Sequence, residues 1–201
     1  MALPLSPPIK PQLARTAKAL PEGDEWLYEP KYDGFRMLAY RDGGELYLQS
    51  RGGKPMNRYF PEVAAQLLEM AADEVVLDGE VVVTVDGVQE FDLLSQRIHP
   101  AASRVAKLAA ETPAVFHAFD LLAAGGEELL ELPYTERRAR LEALDLAPVQ
   151  LTPIVTERAA PHRAGRAAPA RRSRARRRRG RPPASRPPAS RRATPPDGSA
   201  G

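Results

Sequence analysis
The chain has 201 residues, enough for one or two domains, with no cysteine and a formal net charge of +3. Residues 159–201 hold 13 arginines, no lysine and one acid, whereas residues 1–158 carry 16 basic and 25 acidic side chains, so +12 sits beside −9. Disulfides and thiolate metal sites are excluded, and because the body is acidic the alkaline pI of the whole chain, which the last 43 residues produce, is no argument for nucleic-acid binding by that body.

Residues 1–22, with Pro4, Pro7, Pro8, Pro11 and Pro21, read as an extended lead-in with a short helical turn through 13–20. The first residues lack the charged start and apolar run of a signal peptide, and no stretch approaches the roughly 18 apolar residues of a membrane span. A cytoplasmic protein with no membrane partner is the expectation. From Trp26 the pattern predicts a meander of strands at 26–31, 35–41 and 45–50, the last two joined at Asp42-Gly43-Gly44. Lys31-Tyr32-Asp33-Gly34 reads as the first hairpin turn, with Gly34 free to take a positive φ and Asp33 bonding its own backbone. Such a turn projects Lys31 from the end of a strand. Phe60, Val63, Ala64, Leu67 and Leu68 recur at helical spacing, so 58–71 is predicted as an amphipathic helix. Strands follow at 74–77 and 80–85 around Asp78-Gly79, then a hairpin turn at Asp86-Gly87. Segments 91–98 and 101–110 look helical, broken at Pro100. A buried strand at 114–122 precedes a helix capped by Thr135 and ending near 144, and 149–156 is the last strand.

After Val155 no Val, Ile, Leu, Met, Phe, Tyr or Trp occurs. Residues 158–201 therefore lack the apolar surface that offsets the entropy of ordering, and are expected to be a disordered Arg/Pro/Ala-rich tail. The repeated Arg-Pro-Pro-Ala-Ser is low-complexity sequence. The fold class is α+β, mostly antiparallel strands with flanking helices, with the folded unit at 23–157.

Several residues carry chemical possibilities. Glu29 lies two before Lys31, which on a strand gives the same face. Asp78 and Glu80 flank Gly79 and share a face, and buried carboxylates so placed need a cation or a hydrogen-bonded partner. Arg36 and Arg51 offer planar forks suited to phosphate or ribose oxygens, or to a surface ion pair. His99, His117 and His162 have no metal-ligand spacing with one another.

Taken together, Lys31-Tyr32-Asp33-Gly34-Phe35-Arg36, Ser50-Arg51-Gly52-Gly53-Lys54, Leu77-Asp78-Gly79-Glu80 and Phe116-His117-Ala118-Phe119-Asp120-Leu121-Leu122 stand in collinear order. In this the chain resembles the adenylation (nucleotidyltransferase, ATP-grasp-like) domain of bacterial ATP-dependent DNA ligases, of the actinobacterial repair and end-joining type. The resemblance runs from about residue 8 to 155. It implies ATP and Mg²⁺ as cofactors, and nicked or broken double-stranded DNA as the partner, with DNA-repair proteins beside it, in repair and recombination by a monomer. It implies that the Lys31 amine attacks the α-phosphorus of ATP. A lysine in water, with a pKa of roughly 10.4, must be desolvated or placed near cations to do so. It further implies that Glu29 reads the adenine amino group, Asp33 engages the ribose side, and Arg36 and Arg51 meet phosphate or ribose. Glu80 would contact ribose and support the metal, and Phe119 would stack on adenine; Asp120 reads as structural.

Members of that family continue with a Glu-Gly-x-Val-x-Lys strand, a second lysine-bearing strand and an OB-fold domain. None of these follows Val155 here, so impaired activity is the expectation. Two readings of the tail stand: GC-rich coding sequence read out of frame, or an arginine-rich arm that binds DNA phosphates. Two alternatives to the ligase stand as well: an RNA ligase or capping-type guanylyltransferase, and a non-catalytic DNA-binding protein that uses the tail.

Overall fold
The computed structural model describes residues 3–13, 26–99 and 101–154, with the backbone of 174–177. Strand β1 (Trp26–Glu29) stops at Pro30, and five residues pass before β2 (Phe35–Asp42) begins. β2 and β3 (Glu45–Ser50) form the expected hairpin, with Gly43 at φ 59°. A 3₁₀ turn at Asn57–Tyr59 leads into helix α1 (Pro61–Glu69). Its first-turn proline lacks an amide that could not be bonded there anyway, so the predicted helix splits at Phe60. Val63 and Leu67, four apart, are its buried stripe.

β4 (Glu74–Val85) runs unbroken through Gly79, where the sequence predicts two strands. The break is confined to register shifts against its neighbour on either side of Leu77–Asp78. The chain reverses at Asp86 (φ 50°) and Gly87 (φ 77°), the paired positive φ angles of a tight hairpin, into β5 (Val88–Gln89). Helices α2 (Phe91–Ser95) and α3 (Ala102–Glu111) lead to β6 (Ala114–Ala124) and the short β7 (Glu127–Glu128). Helix α4 (Tyr134–Ala143) starts one residue before Thr135, after Pro133, and no side chain caps it; Thr135 is inside the first turn. Among the described residues the predicted last strand is reduced to β8 (Gln150–Leu151), with Pro153 offering no amide to extend the ladder.

The main sheet has the order β3-β2-β4-β6-β7, with β5 on β4 and β8 on β6. All its pairs are antiparallel except β6–β8. One face carries the principal core, in which Met37, Leu77, Val81 and Phe116 from the strands meet Val63, Leu67, Leu94 and Leu141 from the helices. The opposite face carries a smaller apolar cluster of Leu38, Tyr40, Val76 and Leu122, covered by Leu5 with Leu3 and Ile9. The lead-in is docked there by the amide of Gln49, which donates to the Ile9 carbonyl (2.6 Å) and accepts from the Ile9 amide (3.0 Å). Two buried arginines tie helices to this frame. Arg41 donates to the carbonyl of Leu67 in the last turn of α1 and to those of Met70 and Ala72 beyond it, and Arg97 pairs with Glu62 while donating to the Val105 carbonyl.

Strand β9 (Arg174–Arg177) lies antiparallel on β1, Leu27 opposite Arg176 and Glu29 opposite Arg174. Pairing along the edge of β1 uses backbone groups alone and needs no apolar side chain. The rest of the expected tail, and the helical turn through 13–20 apart from Leu13, lie outside the described residues. Among the described residues no helix is long and apolar enough to cross a membrane.

Candidate active site
The predicted Lys31 hairpin does not form. β1 pairs with β9 and β2 with β3 and β4, so residues 30–34 are a crossing between two sheets. Because β1 ends at Glu29, strand alternation does not relate Glu29 to Lys31: Glu29 is buried and Lys31 exposed. Gly34 is needed for close approach rather than for a positive φ. A Cβ there would fall 2.1 Å from the Val81 carbonyl oxygen and 3.0 Å from Cγ of Glu80. The crossing therefore lies directly against β4. Its Asp33 amide donates to Oε1 of Gln89 (2.8 Å), so the loop is held from β5 as well. The Tyr32 ring packs on His117, centroids 4.4 Å apart and planes 30° from parallel. The Lys31 ammonium donates to the neighbouring Tyr32 carbonyl, at 3.4 Å.

Beneath the crossing, Arg36 of β2, Glu80 of β4 and His117 of β6 are successive cross-strand partners and share a face. The cation that the Asp78–Glu80 carboxylates require is Arg36, whose Nε and second terminal nitrogen grip the two oxygens of Asp78. Its guanidinium also lies over the Phe119 ring, 4.5 Å from the centroid. That donor edge thus faces a carboxylate, the ion-pair option left open for this residue. Phe119 sits at the bulge where β6 slips against Asp78–Gly79. Gly79 is fixed by packing: a Cβ would meet the Phe116 ring at 2.4 Å.

The other expected residues lie at the margins. Arg51 is exposed, and its amide donates to the Arg36 carbonyl (3.2 Å). Glu29, only 2% exposed, accepts from the Tyr134 hydroxyl (2.6 Å) and lies 3.9 Å from Arg138, so it is no solvated strand carboxylate. The Tyr134 oxygen is also 3.2 Å from the Phe119 carbonyl, which links Glu29 to the strip. Asp120 takes a two-point grip from Arg137, both contacts 2.9 Å. Arg36, Glu80 and Phe119 are thus brought together under the Lys31 crossing, while Glu29 joins through α4 and Arg51 through the backbone.

Burial holds the His117 imidazole below its ordinary pKa. Burial raises the Tyr32 phenol, opposed by the neighbouring Thr152 side chain and assisted by the charge of Glu29. His117, Tyr32, Gln89 and Tyr134 went unassigned in the sequence. His117 lies within a recognised motif, whereas nothing local marks Gln89 or Tyr134, whose partners are 56 and 105 residues away. Among the described residues no three acidic or histidine side chains cluster as metal ligands. The donor set nonetheless suits a magnesium–nucleotide: one carboxylate, Glu80, beside cationic and aromatic groups, and a loop brought close to it by a glycine.

Residues 10–157 match the family described as the ATP dependent DNA ligase domain. DNA ligase C2 of Mycolicibacterium smegmatis is 48% identical over 160 residues, covering 78% of this chain and 45% of that protein. DNA ligase C of Mycobacterium tuberculosis is 48% identical over 141 residues, covering 70% and 39%. The crystal structure of the ligase domain from M. tuberculosis LigD superposes with a TM-score of 0.54 at 35% identity, covering 65% of this chain and 40% of that one. The chain spans less than half the length of these curated relatives. The matched family favours the DNA-ligase reading over RNA ligase or guanylyltransferase. With most of its length in that match and its motifs in the expected order, the chain belongs to the ATP-dependent DNA ligase family.

Proposed function
We propose that this chain carries out the first step of ATP-dependent DNA ligation, with Lys31 as the residue that accepts AMP. The observation supporting this is the crossing of the Lys31 loop against the Arg36–Glu80–His117 strip, together with the family match. The Nζ lone pair forms a P–N bond at the α-phosphorus, the bond to pyrophosphate breaks, and the amine protons pass to water. Gly34 lets the loop sit low enough for Nζ and the strip to face one ligand. Phe119 and the Tyr32–His117 pair offer aromatic surface for the base, and Glu29 an acceptor for its amino group. Arg51, exposed at the rim, and Arg36, once exchanged from Asp78, offer forks for phosphate or ribose, with Asp33 on the ribose side. Mg²⁺ supplies neutralisation of phosphate charge, with Glu80 the carboxylate placed to hold it.

In the longer relatives' chemistry, AMP then moves to the 5′-phosphate of nicked or broken DNA, and the 3′-hydroxyl displaces it. We extend that sequence to this protein, in repair and recombination of cytoplasmic DNA. The test is incubation with α-labelled ATP and Mg²⁺, read as an end point on a denaturing gel. A covalent label lost in Lys31→Ala supports the reading. No label at any incubation time, or a label that survives the substitution, overturns it. Labelled GTP in parallel separates it from guanylyltransferase chemistry.

A further inference from the structure
The reactive-lysine loop is held in part by groups outside the four motifs, Val81 and Gln89. Between the end of β1 and the start of β2 it has no ladder partner, since β1 and β2 belong to different sheets. Such a segment is free to move unless something pins it. Its far end is fixed by Gly34 against the Val81 carbonyl of β4. Its middle is fixed at Asp33, whose amide donates to the Gln89 side chain. Both anchors belong to one hairpin, because Gln89 pairs with Thr84 and the Glu90 amide donates to the Val83 carbonyl. The tight Asp86-Gly87 reversal sets where Gln89 falls along β4, and hence its distance from Glu80. On the other flank the loop is met by the Tyr32–His117 stack.

We infer that Gln89 is a positioning residue for Lys31: its Oε1, carried on the β4–β5 hairpin, fixes the Asp33 amide and so sets where the amine stands over the Glu80 strip. The functional half of this rests on Lys31 being the adenylated residue; the structural half does not. At Asp33 the side chain acts through its oxygen, so its shape and its oxygen can be separated. Gln89→Met keeps length and packing without the acceptor, and Gln89→Glu keeps an oxygen in the same place. A hydrogen bond of this kind is worth about a five- to tenfold effect on the equilibrium it supports.

The experiment follows hydrogen exchange at the Asp33 amide and, in parallel, the rate and ATP dependence of label uptake at Lys31, all with the full chain. The Asp33 amide is expected to be protected in the unmodified protein and in Gln89→Glu, and to lose about five- to tenfold of that protection in Gln89→Met. Maximal labelling rate is expected to fall by a similar factor in Gln89→Met, with half-saturating ATP unchanged, and to recover in Gln89→Glu. Protection unaltered in Gln89→Met overturns the inference, as does lost protection with an unchanged labelling rate. Should the unmodified chain take no label, the proposed function fails, and the exchange arm alone decides whether Gln89 holds the loop.

Discussion

The two faces of the main sheet differ in what they are built to tolerate. One is continuously apolar, with Met37, Leu77, Val81 and Phe116 fully enclosed by helices. The other changes character along the same strands. Leu38, Tyr40 and Val76 are covered by the lead-in, and within a few residues Asp78, Glu80, Arg36 and His117 take their place. A polar strip directly beside an apolar cluster must be satisfied by its own charges or by a ligand. Arg36 and Asp78 do this for each other, and the Lys31 crossing lies against what remains. Changes on the first face should therefore cost folding alone, and changes on the second should cost chemistry, with folding lost as well where a buried charge is left without its partner.

The sharpest break is Lys31→Ala. Covalent labelling is expected to vanish, while thermal unfolding stays put because the side chain is exposed. Gly34→Val comes next, since a side chain there collides with the Val81 backbone. The crossing must lift off β4, and labelling is expected to fall about 100-fold or more, the scale of a reactant misplaced by about 1 Å. Asp78→Ala leaves the Arg36 guanidinium buried without its carboxylate, so urea unfolding should show a loss of about 3–5 kcal/mol. Leu77→Ala on the opposite face should cost about 2–5 kcal/mol by the same assay, with labelling per folded molecule unchanged. A labelling defect in Leu77→Ala out of proportion to its unfolding would break the division between faces.

The smallest expected effect is a pH dependence. Burial holds His117 below its ordinary value of 6.5 in the folded chain. As pH falls below 6.5 the unfolded chain takes up this proton first. The stability His117 contributes is therefore present above 6.5 and lost between 6.5 and its lower folded pKa. His117→Phe should flatten that part of an unfolding-versus-pH curve and retain the stack on Tyr32. An unchanged acid limb would mean that other groups carry it.

How much of this was readable from residues alone depended on distance along the chain. The β2–β3 and β4–β5 hairpins were legible because Asp-Gly pairs state a turn locally, and the Lys31 and Glu80 motifs because each is contiguous. The fate of the Lys31 turn was not. Flanking strand-like residues predict a hairpin, yet nothing local says that β1 will pair with residues some 150 positions later and leave the loop to cross between sheets. Gly34 shows the same limit from another side. The glycine was legible, but its reason, the Val81 carbonyl, lies on another strand. Glu29 reads as a strand residue facing the lysine and turns out to be enclosed by Tyr134 and Arg138 of α4. Side chains whose partners are remote, Gln89 above all, had no signal in the sequence.

The most direct measurement is the position of the AMP group after ATP treatment, located by fragmentation mass spectrometry on the intact chain. AMP confined to Lys31, absent from the Lys31→Ala chain, is the expected result. AMP on Lys10, Lys54 or Lys107, or spread over exposed lysines, would contradict the placement of the chemistry at the crossing between β1 and β2.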